Sequence, residues 1–94
     1  MISKEEIKEV CKYIKDNWTK SHGSICYHHN NWIPDQAKID CIAYSKIDRI
    51  IDEGSIYIIC FDNSRISHKS ISKRLIKLVQ SQIIEQRIKN FLAE

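Results

Sequence analysis

Three potential metal ligands fall within one four-residue run, Cys26-Tyr27-His28-His29, and a carboxylate follows at Asp40. Thiolate and imidazole are the ligands zinc prefers, but structural zinc sites bring them in paired knuckles. No second knuckle exists here: Cys11, Cys41 and Cys60 are isolated, and no Cys-x-x-Cys pair occurs. The spacing therefore reads as free thiols in a reducing compartment rather than as a metal centre or a disulfide framework. His28 or His29 facing Asp40 across paired strands would make an acid/base couple, since imidazole titrates near neutrality. A small hydrolase or nuclease using these three residues follows from that geometry. No activated Ser or Cys can be assigned beside them, and cross-strand His–Asp contacts are usually structural. Phosphate-loop, dinucleotide and metalloprotease patterns are absent. The sequence thus names no catalytic residue, no metal and no cofactor, and it leans away from an enzyme.

The second chemistry is electrostatic. Residues 65–94 carry seven Lys or Arg against two acids, whereas the whole chain has a formal charge of only +3. No acid occurs from Ser64 to Gln80. Arg65, Lys69, Lys73, Arg74 and Lys77, with the hydroxyls of Ser70 and Ser72, gather where a helix is expected to start. Backbone N–H groups at a helix start, together with cationic side chains, suit a phosphate. Basic residues oppose the helix dipole there, which favours acids in the first turn. These features set up the leading expectation: a small nucleic-acid-binding or regulatory protein that docks phosphates on this run. The modest net charge tempers it, because dedicated binders are often more basic. The competing expectation is a protein-interaction module, such as an inhibitor of a host enzyme of the anti-defence type, using the same face on an acidic protein surface. Ile outnumbers Leu nineteen to three, a bias of AT-rich genomes that suggests a phage, viral or mobile-element source.

Elements must position these groups. Ser3 and Glu6 form a capping box ahead of a helix expected from about Lys4 to Trp18. Ile7, Val10, Cys11, Ile14 and Trp18 make its core stripe. Ser21-His22-Gly23-Ser24 reads as the loop that ends it. Residues 24–45 read as a hairpin: Ile25 to His29, a turn at Pro34-Asp35, and Ala37 to Tyr44. Ile39, Cys41 and Ala43 alternate as a strand requires, and the competing reading is a helix over residues 36–53. A short helix from Lys46 to Glu53 would bury Ile47, Ile50 and Ile51 and stop at Gly54. Ser55 to Phe61 is an apolar strand, expected to be central and covered on both faces. Asp62-Asn63-Ser64 is a turn, and Arg65 to Ser67 offers a short edge strand.

A final helix follows Ser70 or Ser72 and, unbroken to Leu92, would be about 35 Å long. Its apolar residues split between two sides. Ile71, Leu78 and Val79 group with Leu75, whereas Ile84, Ile88 and Phe91 lie about 160 to 220° away at 100° per residue. Either the helix breaks near Ser81-Gln82, or it projects and another chain covers Ile84, Ile88 and Phe91. A symmetric copy is the simplest cover, so a homodimer is expected.

The expected fold is one α+β domain over residues 1–94. It has a small antiparallel or mixed sheet of three to four strands, packed by an N-terminal helix and a long C-terminal one. The alternative, if residues 36–53 were helical, has the element order of a winged helix-turn-helix domain, with Asp62-Asn63 at the wing tip. No helix-length apolar run and no signal peptide are visible, so no membrane role and a cytoplasmic location are expected.

Overall fold

The computed structural model describes residues 1–18, 36–62 and 67–93. Helix α1 spans Lys4–Tyr13 and passes into a π-helical turn, Ile14–Trp18. The capping box forms as its sequence requires: Ser3 N donates to Glu6 Oε1 at 3.2 Å and Glu6 N to Ser3 Oγ at 3.1 Å. Two orphan donors are thereby satisfied. Where the α pattern gives way, Asn17 Nδ2 donates to the Tyr13 carbonyl at 3.1 Å. All five stripe residues, Ile7, Val10, Cys11, Ile14 and Trp18, are buried.

Helix α2, Gln36–Tyr44, corrects the strand expected over residues 37–44. Alternation of Ile39, Cys41 and Ala43 imitates a strand, yet the buried pair is Ile39 and Ile42, three apart on one helical face. Asp40, between these two in sequence, is half-buried and meets Lys15 Nζ at 3.4 Å. Lys15 also donates to Tyr44 Oη at 3.0 Å and lies over that ring. The expected first strand of this hairpin, Ile25 to His29, its Pro34-Asp35 turn and the loop at residues 21–24 lie outside the described residues.

Strands β1, Ile47–Glu53, β2, Ile56–Phe61, and β3, Lys69–Ser72, form an antiparallel sheet in the order β1-β2-β3. The helix expected over residues 46–53 is therefore a strand. Its register shifts between Ile47 and Arg49, so Ile47 stands opposite Phe61 while Ile50 stands opposite Ile59. This irregularity lets two residues three apart reach the same sheet face, which is a helical spacing in the sequence. Gly54 likewise serves a different end. With φ at +74° it opens the two-residue turn between β1 and β2, where primed hairpin turns need positive φ. Its N–H donates to Asp52 Oδ1 at 3.1 Å.

β2 is the central strand, but only one of its faces is closed. Ile59 is fully buried, with Tyr57 and Phe61 packed on the same core; Ile56, Ile58 and Cys60 on the other face are half-buried. The edge strand expected at Arg65 to Ser67 falls mostly outside the described residues; the third strand of the described sheet is β3, Lys69–Ser72. Asn63 to Ile66, including Arg65, are outside the described residues.

Helix α3, Lys73–Ala93, is one continuous helix. It packs Leu75, Ile76, Val79 and Ile83 on the core beside α1 and β3. The element order of the described residues, two helices then three strands then a helix, differs from that of a winged helix-turn-helix. What it shows is a small α+β domain.

Cys11 tests the closure of this core. Burial pushes its thiol up from an ordinary 9.0 to about 12. A raised pKa favours folding fully below pH 9 and loses that contribution as pH rises towards 12. Native protein at pH 8 is expected to label with a thiol reagent at Cys41 and Cys60, which are half-buried, well before Cys11. Mass spectrometry of digests reads the order, and early labelling of Cys11 would contradict a sealed α1 stripe.

Candidate interaction face on the C-terminal helix

Ser72 decides where α3 begins. Its Oγ accepts from Arg74 N at 3.1 Å and from Leu75 N at 3.4 Å, an N-cap arrangement. The Lys73 N–H donates to the Ser55 carbonyl at 3.0 Å, tying the helix start to the β1–β2 turn. The first three N–H groups are thus engaged within the fold. Any anion held here would rest on side chains.

Those side chains divide. Lys69 and Ser70 lie in β3, ahead of the helix, and both are half-buried. Lys73 Nζ meets Asp52 Oδ1 at 2.6 Å and lies 4.8 Å from the centre of the Tyr57 ring. The hydrogen bond from Lys73, followed by that from the Gly54 N–H, holds the Asp52 carboxyl below its ordinary 3.8. A depressed carboxylate pKa contributes stability above the unfolded value and loses it as pH falls through the folded one. Melting temperature is therefore expected to fall below pH 3.8 less steeply in Asp52→Asn than in the wild-type chain. Equal slopes would show that the pair contributes nothing. Both partners are partly exposed, so a small effect is expected.

Arg74 and Lys77 remain exposed and form no ion pair among the described residues. A cleft of about 300 Å³ lies beside Lys77, lined by Ile2, Glu6, Tyr57, Lys73, Ile76 and Gln80 among others. The sequence brought Lys69, Lys73, Arg74 and Lys77 to one side by helical rotation; the fold leaves Arg74 and Lys77 there and gives Lys73 to Asp52.

The same outer side continues to the end of α3. Arg74, Lys77, Ser81, Ile84, Ile88 and Phe91 recur at three- and four-residue steps, and all are exposed. Among the described residues Ile83 is the last buried one; 84–93 are exposed throughout. Ten residues, about 15 Å of helix, thus add nothing to the buried core, although Ile84 and Arg87 still lie alongside Glu9 of α1. Ile84 is 55% exposed, Ile88 53%, and Phe91 and Leu92 76% each. At 100° per residue these four fill an arc of about 100°, the width of a core-facing stripe. Leu92 extends the expected trio of Ile84, Ile88 and Phe91; its position one step from Phe91 was the available signal.

The helix does not break at Ser81-Gln82. Ser81 Oγ donates back to the Lys77 carbonyl at 3.1 Å, and Gln82 Oε1 accepts from the Trp18 indole at 2.8 Å. On the flank, Arg87 Nη2 pairs with Glu9 Oε2 at 2.7 Å, and Gln80 Nε2 donates to Glu6 Oε2 at 3.4 Å. Both bonds brace the helix against α1.

The residues weighed for metal or proton chemistry, Cys26, His28 and His29, lie outside the described residues, whereas Asp40 is paired with Lys15. Among the described residues no three His, Cys, Asp or Glu converge as a metal site, and no helix is long and apolar enough to cross a membrane. Compared with protein-family models, with curated proteins and with solved structures, the chain matches none.

Proposed function

We propose that this protein is an interaction module that docks a protein partner through the outer face of α3, acting as a regulator or inhibitor. One observation carries the reading: an apolar arc of Ile84, Ile88, Phe91 and Leu92 stands on a helix end that adds nothing to the buried core. Contiguous exposed apolar surface on a small domain marks an interaction site. The basic residues Arg74 and Lys77 extend the same face and add charge selectivity at its rim. The test is a photo-crosslinking amino acid placed at Ile88 and, as control, at exposed Lys12. A discrete adduct from position 88, lost on adding Ile84→Asp, is expected. Absence of an adduct, or equal adducts from both positions, would overturn it.

A second reading has its own support. Arg74 and Lys77 are exposed without an acidic partner among the described residues, and Lys69 and Lys73 flank them, which suits a phosphate backbone. Fluorescence anisotropy with an oligonucleotide at low salt tests it. Arg74→Glu with Lys77→Glu should lower affinity at least about tenfold, and added salt should weaken wild-type binding steeply. Unchanged binding in the double variant would remove nucleic acid from consideration at this face.

A further inference from the structure

We infer that the partner on α3 is a second copy of this chain, bound antiparallel, with Ile84 of one copy against Ile88 of the partner subunit. This deepens the interaction-module reading and rests on it. Three observations on the face itself select this occupant.

The first is its pattern. Ile84, Ile88 and Phe91 follow the four-then-three spacing of a two-helix seam, with Leu92 widening it. In an antiparallel pair centred near residue 86, each Ile84 layer meets an Ile88 layer, twice over by symmetry. Phe91 then reaches beside Ser81 of the partner subunit, where a small residue leaves room. Such an isologous contact covers both patches with a single operation.

The second is area. Four large apolar side chains, exposed by half to three-quarters, offer on the order of 500 Å² per copy, the size of the largest and often functional patch on a typical monomer. The pair would bury roughly 1,000 Å², where specific interfaces begin. A weak, concentration-dependent dimer is therefore expected rather than an obligate one.

The third is charge, which sets the direction. The stripe is basic at one end only, at Arg74 and Lys77. A parallel, in-register pair would set these residues against their own copies along the seam. Antiparallel pairing sends the two basic ends apart, each towards the C-terminal end of the other helix, whose carbonyls favour cations. Arg87 lies beside the seam and would approach its symmetry mate; its pairing with Glu9 at 2.7 Å compensates that charge within each copy.

Sedimentation equilibrium of the full chain over a range of concentrations is the test, combined with disulfide trapping. Mass is expected to rise towards twice that of the chain, and Ile84→Asp with Ile88→Asp is expected to hold it at one. Because these positions are exposed, the variant should keep the wild-type circular dichroism spectrum; Phe91→Asp provides an independent second variant. Mixing Ile84→Cys with Ile88→Cys protein should give a mixed disulfide above the background of the wild-type cysteines. Self-disulfides of each variant without the mixed product would show a parallel seam and overturn the inference. A monomer at every concentration would also overturn it. In that case an adduct of position 88 with a different protein would leave the interaction-module reading standing, whereas a monomer with no adduct would end both.

Discussion

Ile59→Ala is expected to destabilise the protein by about 3 kcal/mol, the middle of the range for removing a large aliphatic side chain from a packed core. Ile59 lies on the central strand, opposite Ile50 on one side and Lys69 on the other, and its side chain is fully buried. Other members of the same buried cluster come from separate elements: Val10 from α1, Ile71 from β3, and Leu75 and Val79 from α3. They cannot all collapse into the vacated space. A domain of this size has a total stability of roughly 5–15 kcal/mol, so one substitution would remove a large share of it. Each kcal/mol shifts the midpoint by about 4–8 °C in domains of 60–100 residues. Thermal and urea unfolding followed by circular dichroism should agree on the loss. A change below about 1 kcal/mol would place Ile59 outside the core and refute the packing of β2 under the helices.

Ile83→Asp and Ile84→Asp, adjacent in sequence, are expected to behave in opposite ways. Ile83 is 7% exposed and closes the core beside Trp18 and α1; Ile84 is 55% exposed on the outer arc. A carboxylate at 83 loses the apolar burial and must shed its hydration or drag the helix away from α1. The expected cost is at least about 4 kcal/mol, enough to unfold a marginal domain. The same residue at 84 meets solvent and should change monomer stability by no more than about 0.5 kcal/mol. Any concentration-dependent part of the stability, which dimerisation would add, should vanish with it. Equal destabilisation by both would mean that α3 is rotated or broken between these positions. The contrast thus tests the continuity of α3 and the orientation of its two stripes in one experiment.

The function readings depend on that orientation. Projected around one axis, Leu75, Val79 and Ile83 point one way and Ile84, Ile88 and Phe91 the other, so their contributions nearly cancel over the whole helix. This split was visible in the residues; whether the helix breaks to bury both sides was not. The Trp18–Gln82 hydrogen bond and the Arg87–Glu9 pair brace a straight helix instead. Both connect residues more than sixty positions apart, beyond what local spacing can express. The phosphate reading met the same limit. Lys73 looks like one of five equivalent cations until β1 brings Asp52 to within 2.6 Å of it.

Local chemistry by itself determined the ends of the fold. The Ser3/Glu6 box and the stripe from Ile7 to Trp18 specify the first helix, because capping and 3.6-residue periodicity act within a few turns. A serine cap at Ser70 or Ser72, the β-branched and aromatic run from Ile56 to Ile59, and the two-sided final helix follow from equally short-range rules. Tertiary structure decided the middle. Residues 36–44 are helical because burying Ile39 and Ile42 together against α1 outweighs an alternation that also suits a strand. Residues 47–53 are extended because pairing with β2, adjusted by the register shift at Ile47, takes up an apolar spacing that alone reads as helical. In both segments local preference is nearly balanced, so the free energy of long-range packing chooses.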